Sequence, residues 1–459
     1  MAEVLDEKEY LEYKQLETPT PVYKWLRTIP DIDRKKARFF STGFGENPDL
    51  APEIDVKETR ARAWGYTALK NHIGESNADQ VVKDAYIPVI DGKLNGMAML
   101  AAAFNRDLDS FINTNVESYG EPNKQVFDSL CLYLSGMASN LLHEQPNTFV
   151  AEAAKQVLDL LPDTWATADK IWPNETEFRK LKKIYRDFFD VMYEGIELPD
   201  EVTGQKAVPI IQKVLANLGY DYEVVAQDKG VSTMSVNQVT KQVKIPANEI
   251  YEAARLKGLL GHEIRVHVEE TQYGERQPLM LLGRGLRNTT KAGEGKGVNV
   301  EMVAYDYSTE FLQTRRFFDI ARRHVSIGLA RGLDGNSARD FKDVYQIINA
   351  LDRLWELTHN TNPENPNVAI MKALDRTWEL LTNRTLKGVV GKGAAYYKDK
   401  EYAEGRIIQG KLLARNPNLY PYLNLGHYDL ANPEQVSILK RVGTLPVDLE
   451  IKLPKKQPN

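Results

Sequence analysis

Apolar residues recur at three- and four-residue steps through most of the chain between Val56 and about Gly195. KETRARAWGYTALKNHIG, the Ala/Met-rich NGMAMLAAAFNRDLDSFI, FDSLCLYLSGMASNLLHE, TFVAEAAKQVLDLL and ETEFRKLKKIYRDFFDVMYEG all carry this spacing, which predicts amphipathic helices. Before Val56, charge, Pro and aromatics are mixed, and the pattern predicts a short helix followed by extended wrapping segments. The texture changes at the turn-rich Leu198–Thr203. A helix is predicted over Gln205–Leu218, and then alternation takes over: Ser232, Met234 and Val236, followed by Val239, Lys241, Val243 and Ile245. These strands form a small antiparallel sheet whose edge could receive an extended peptide or simply support the next helix. Pro246-Ala-Asn248 turns the chain into that helix.

The next stretch, GLLGHEIRVHVEE from Gly258 to Glu270, holds two of the seven histidines, His262 and His267. Leu256, Leu259, Leu260, Ile264, Val266 and Val268 surround the pair with apolar side chains. Two imidazoles with a carboxylate beside them, Glu263, are the residue types of a catalytic zinc site. The common H-E-x-x-H spacing puts both histidines on one helix face; this H-E-x-x-x-H array has one residue more. At i and i+5 the rings lie roughly 140° apart on an ideal α-helix. If both bind one metal, the helix must widen as a π-bulge near Ile264–Val266 or end there. The alternative is two core-lining histidines with satisfied ring nitrogens.

Downstream, TQYGERQPLMLLGRGLRNTTKAGEGKG is broken by Gly-containing turns, and a long helix is predicted over Val298–Leu329. Glu294, just ahead of that helix, is the best-placed third ligand, with Glu301 and Asp306 as alternatives. GEGKG is not a phosphate loop: Thr290 stands where the first Gly of G-x-x-x-x-G-K-[ST] belongs and Gly297 where Ser or Thr belongs. Residues 338–360 and 368–383 predict an αα-hairpin carrying the near-repeat ALDRLWEL and ALDRTWELL. The chain from Ala414 is loop-rich, and KLPKKQPN reads as a frayed tail. His72 and His143 fall near helix ends, His324 and His359 lack metal spacing, and His427 sits among tyrosines.

Composition narrows the function. A net charge of −5 and a pI near 5.9 give no electrostatic footprint for nucleic acid. Cys131 stands alone, so neither a disulfide framework nor a Cys-based metal site is expected. The acidic MAEVLDEKEYLEY lacks the apolar core of a signal peptide, and the longest apolar stretch, Met97–Phe104, is too short to span a bilayer. A soluble cytoplasmic protein is expected.

The run IP-x(3)-IYEAARLKGLLGHEIRVHV, then G-x-RQPLMLLGRGL, then Glu-Gly ahead of a helix resembles one metallopeptidase-like family. It includes the microtubule-associated tyrosine carboxypeptidases, and its bacterial members are marked by a Q-E-G-L-A motif. RTLKGVVGKGAAYYKDKEYAEGRI extends the resemblance through Arg384, Gly391, Gly393, Lys398, Asp399, Tyr402 and Gly405, so that it covers roughly residues 200–415. The chain departs from the motif where Gly293 replaces Gln and Lys296-Gly297 replaces Leu-Ala. Glycines there are expected to loosen the helix start around Glu294. Arg265 is expected on the outward helix face.

The resemblance implies one zinc per chain, held by His262, His267 and Glu294, with an open fourth position. Glu263 would be the general base and Tyr402, or a nearby Tyr, the oxyanion donor. Arg384, Lys398 or Arg406 would meet a substrate's terminal carboxylate, with Arg384 suited to a bidentate grip. The fold class is α+β and mostly helical, with a small antiparallel sheet beside the HExxxH helix. The expected divisions are a wrapping segment (1–55), a helical region (56–200), a catalytic domain (201–445) and a tail (446–459). The expected function is a zinc metallopeptidase, foremost a carboxypeptidase acting on protein or peptide C-termini, with no nucleic-acid or membrane partner. An aminopeptidase or endopeptidase is the alternative enzyme, and a non-catalytic zinc-binding scaffold the alternative of another class.

Overall fold

The structure, a computed structural model, describes residues 4–17, 25–144, 148–161, 172, 175–228, 233–238, 240–359 and 365–453. Helix α1 (Glu7–Leu16) is followed by a second helix, α2 (Ile32–Ser41), where the sequence predicts extended chain. The cause is packing. Phe39 buries its ring against Phe341, Tyr345 and Trp378, which stabilises one helical face despite the charged residues around it. Residues 18–24 of the predicted wrapping segment lie outside the described residues. Asp6 is fully buried and accepts the backbone N–H groups of Met280 and Leu281, tying the N-terminal segment to the chain that follows the histidine helix.

Aspartates open the next three helices, α3 (Val56–Glu75), α4 (Gln80–Asn105) and α5 (Leu108–Tyr119). The side chains of Asp55, Asp79 and Asp107 accept the N–H groups of Glu58, Val81 and Ser110, each cap stabilising its helix by about 1 kcal/mol. Helices α6 (Lys124–Glu144), α7 (Thr148–Leu160) and α8 (Glu175–Met192) complete the helical texture that the periodicity predicts.

Strand β1 (Glu201–Thr203) leads into α9 (Gly204–Asn217), followed by β2 (Glu223–Gln227), β3 (Ser235–Asn237), β4 (Gln242–Pro246) and β5 (Ile250–Glu252). β1 pairs antiparallel with β5; in the order β2-β4-β3, β3 is antiparallel to β4 and β2 is parallel to it. Met234, Val243 and Ile245 are buried as the alternation predicts, while Ser232 and Val239 lie outside the described residues. The fold is a mostly helical α+β arrangement.

Helix α10 (Ala253–His262) continues through a π-helical segment (Glu263–Glu269) into α11 (Glu270–Gly274). The single helix predicted over Val298–Leu329 is three: α12 (Thr290–Val303), α13 (Ser308–Leu312) and α14 (Arg315–Ala330). Local capping makes the breaks. Tyr307 and Glu310 cap α13 reciprocally, and the Thr314 side chain accepts the Phe317 N–H at the start of α14. Helices α15 (Phe341–Thr358) and α16 (Pro366–Leu380) pack together as the predicted hairpin, with residues 360–364 of its loop outside the described residues. Helices α17 (Glu401–Arg415) and α18 (Pro433–Arg441) follow, and residues 454–459 of the tail lie outside the description.

The principal apolar cluster runs from Tyr13 to Leu445, and α12 packs against α8, α10 and α17 within it. Among the described residues, no helix is long and apolar enough to cross a membrane.

Candidate metal centre

One extra residue between the histidines is absorbed by the π-helical segment. In a π turn the backbone bonds run from i to i+5, so His262 and His267 come to one face instead of lying across the helix. Their rings stack with centroids 5.6 Å apart and 26° between planes. Glu263 stands beside them, its carboxylate 4.0 Å from His267 Nε2. The same widening turns Arg265 inward, contrary to the outward face expected for it. Its side chain is 13% exposed, pairs with Glu269 and lies over the rings of Phe188 and Tyr420.

Glu294 completes the group from α12, lying inside that helix and not ahead of it. One ligand atom each from His262, His267 and Glu294 falls within 4.8 Å of the others. Glycines inside a helix cost about 1 kcal/mol each relative to Ala, so those around Glu294 need a reason. Close approach supplies it. A Cβ on Gly295 would lie 2.1 Å from the Gly405 carbonyl carbon of α17, and one on Gly297 would lie 2.3 Å from His262 Nε2. Gly258 and Gly261 do the same on α10, meeting Glu301 and Val300. The glycines expected to loosen the helix start are therefore contact points that bring three helices together.

Of the other carboxylates weighed as ligands, Asp306 is exposed and pairs with Lys182 at 2.9 Å. Glu301 faces the opposite ring nitrogen, 2.5 Å from His262 Nδ1. Arg316 grips it with Nε at 2.6 Å and Nη2 at 2.8 Å. His262 Nε2, on the Glu294 side, is buried with no hydrogen-bond partner among the described residues; the Glu294 carboxylate is 3.6 Å away. A buried lone nitrogen beside a second imidazole and a carboxylate fits a divalent cation of the zinc class, which takes these donors.

The electrostatics favour a cation at this point. Burial opposes charge on His262, but Glu294 and Glu301 prevail and push its imidazole up to about 10. Burial, reinforced by the charge of His262, drives His267 down to about 4. Glu294 stays well below the usual carboxylate range against its burial, because His262, Lys398 and His267 favour its charge. Glu263 is pushed up to about 7 by burial and by the Glu294 and Glu301 carboxylates, against the pull of His262. A carboxyl group near neutrality can take and return a proton.

Tyr402 enters from α17, its ring 5.3 Å from the guanidinium carbon of Arg316 and 5.5 Å from that of Arg323. Burial and then the Glu294 and Asp399 carboxylates raise its phenol well above the ordinary value, so it remains a proton donor. Lys398 is near enough to lower Glu294. Arg384 lies 4.0 Å from Asp399, which also lies 3.6 Å from Arg323. Arg406 is removed from the substrate candidates: it is 1% exposed and pairs with Glu177 at 2.9 Å. His324 and His427 are structural partners, to Glu404 at 3.2 Å and Glu270 at 2.7 Å. Lys296 of the GEGKG string is buried, pairing with Glu270 and donating to the Leu423 carbonyl at 2.9 Å. Strand β3 lies at its sheet's edge, and Gln238 beyond it donates to the His267 carbonyl at 2.7 Å.

Sequence reading missed Arg316 and Arg323 and mistook the place of Glu301. One signal was available: Glu294 and Glu301 are seven residues apart, two helical turns, and so share a face of α12 with Gly297.

Residues 180–354 match the model of the family described as microtubule-associated tyrosine carboxypeptidase, the family that the motifs resemble. That segment contains both histidines, Glu263, Glu294, Glu301, Arg316 and Arg323; Arg384, Lys398 and Tyr402 lie beyond it. No curated protein and no solved structure matches the chain.

Proposed function

We propose that the chain is a zinc-dependent carboxypeptidase that removes residues from the C-termini of proteins or peptides, one zinc being held by His262, His267 and Glu294. The observation that carries this reading is the convergence of those three ligand atoms within 4.8 Å, with a buried imidazole nitrogen that has no hydrogen-bond partner among the described residues. The match of residues 180–354 to a carboxypeptidase family supports the same chemistry. When bound, zinc supplies a Lewis acid and lowers the pKa of water toward neutrality.

The chain's own residues supply the rest. Glu263 accepts a proton from the attacking water as the C–O bond forms, then delivers it to the departing amine nitrogen as the C–N bond breaks. Tyr402, kept protonated by its surroundings, donates to the developing oxyanion. Lys398 and Arg384 provide positive charge for the terminal carboxylate. A cation for the terminal carboxylate is what a carboxypeptidase requires, whereas the substrate amine of an aminopeptidase needs acidic partners. Glu263, a carboxylate beside the two imidazoles, is what an enzyme needs and a non-catalytic scaffold does not. The lone Cys131, buried and unpaired, is compatible with a cytoplasmic place.

Elemental analysis of wild type and His267→Ala tests the metal. About one zinc per chain, lost in the variant, supports the site; wild type that stays metal-free after zinc is supplied refutes it. A library of peptides with free C-termini then tests the reaction and reads the residue preference. Glu263→Gln should keep zinc yet lose at least about a hundredfold in turnover.

A further inference from the structure

We infer that Glu301 and Arg316 are positioning residues for His262: Arg316 fixes Glu301, and Glu301 fixes the ring so that Nε2 faces Glu294 and His267. The inference rests on the metal reading above and concerns residues which that reading leaves without a role.

The geometry runs in one line. Arg316 holds the Glu301 carboxylate through two nitrogens at 2.6 and 2.8 Å, and the Glu301 oxygen stands 2.5 Å from His262 Nδ1. A neutral imidazole carries one N–H, so donation from Nδ1 leaves the lone pair on Nε2, on the side where Glu294 sits. Glu301 is only 2% exposed and must be paired to stay charged, which Arg316 ensures. The backbone is set as tightly as the side chain. A Cβ on Gly258 would lie 3.0 Å from Glu301 Cα, and a Cβ on Gly297 would press on the face of the imidazole, 2.3 Å from Nε2 and 2.5 Å from Cε1. The ring is thus confined between a charged acceptor and a bare backbone.

The alternative is an ordinary structural ion pair, and α14 provides the comparison. Arg322 on the same helix pairs with Asp352 at 2.5 Å and is more deeply buried, but no imidazole follows. Arg316 also has a second neighbour, Tyr402, so the relay links the metal side of the site to the side where a substrate would lie.

The test is the zinc dissociation constant of metal-stripped protein, measured by competition with a chromophoric chelator. The variants are Glu301→Gln, Arg316→Gln, Arg316→Lys and, as control, Asp352→Asn. Glu301→Gln and Arg316→Gln should each weaken zinc by about 10- to 100-fold. Arg316→Lys keeps the charge but not the fork and should fall between. Asp352→Asn should lower the Tm while leaving the constant within about twofold of wild type. Unchanged affinity in the Glu301 and Arg316 variants overturns the inference, as does an Asp352→Asn loss of equal size, which would mean general loosening. If Glu301→Gln fails to fold, the order wild type, Arg316→Lys, Arg316→Gln still decides it. Wild type that takes no zinc overturns the metal reading and this inference together. Zinc that binds normally and is indifferent to Glu301 and Arg316 overturns this inference alone.

Discussion

Replacing Gly297 with Ala adds one methyl group where the structure has least room for it. The new carbon would lie 2.3 Å from His262 Nε2, 2.4 Å from Cδ2 and 2.5 Å from Cε1, whereas ordinary contacts begin at 3.4 Å. The ring must therefore retreat by about 1 Å, several times the roughly 0.2 Å tolerance of a metal–ligand distance. It cannot do so freely, because Glu301, itself clamped by Arg316, stands 2.5 Å from the other nitrogen. Two terms nearly offset each other in the stability of the metal-free fold. Ala in a helix interior gains about 1 kcal/mol over Gly, and overpacking costs about 1–3 kcal/mol. The net loss of about 0–2 kcal/mol is small against a fold worth about 5–15 kcal/mol. Zinc affinity has no such offset and should fall at least tenfold, about 1.4 kcal/mol or more. Gly136→Ala on α6 is the control, since among the described residues no atom outside the helix's own backbone lies within 4 Å of its added carbon. It should gain about 0.5–1 kcal/mol and bind zinc normally. Thermal melts of stripped protein and chelator competition measure the two quantities. Gly297→Ala protein that binds zinc as tightly as wild type would refute the placement of His262 Nε2 in the metal site.

Three further outcomes follow from other parts of the structure. Gly295→Ala brings its carbon against Gly405 backbone, where no side chain can yield, so urea unfolding should show a loss of about 3 kcal/mol or more as α12 and α17 part. Burial opposes ionisation of Asp319, but Arg322 and Arg315 prevail and hold it at about 2, against an ordinary 3.8. That depressed carboxyl contributes up to about 2.4 kcal/mol above the unfolded pKa, lost as pH falls from about 5 to about 2. Asp319→Asn should flatten the acid limb of the stability curve by that amount, and an unchanged limb would remove Asp319 from the account. Arg384→Ala should raise KM about 10- to 100-fold for peptides with a free C-terminus and change little for amidated ones; equal effects on both would argue against a carboxylate contact.

The sequence carried those features that depend on short-range spacing. The five-residue step from His262 to His267 demanded a widened helix, because no α-helix brings i and i+5 to one face, and Glu263–Glu269 is π-helical. The long amphipathic runs of the N-terminal part became helices for the same reason, each with its face of apolar residues. What depended on distant partners was not legible. Arg265 looked like a solvent-facing charge until Phe188 and Tyr420 came from elsewhere in the chain to cover it. Glu301 looked like a spare ligand because nothing local shows that Arg316 already occupies its carboxylate. The breaks between α12, α13 and α14 rest on caps from Tyr307 and Thr314, residues that read as ordinary members of a helical run.

The departure from the family motif at Lys296-Gly297 is best understood as part of the same packing. Gly297 is needed by the His262 ring in this chain: an Ala there would bring the methyl group discussed above against that imidazole. Lys296 is buried, and a buried ammonium requires a partner. Glu270, at the end of the π-helical segment, provides it while also holding His427. Lys296 thereby ties the helix bearing Glu294 to the helical run bearing His267. A Leu in its place would leave the Glu270 charge to His427 alone and remove that tie. Glu294 and the two histidines are thus set by two independent constraints, bare backbone on one side of α12 and a buried ion pair on another. A site held in this way on packed helices can keep its ligands near one point before the metal arrives, which lowers the ordering cost of binding it.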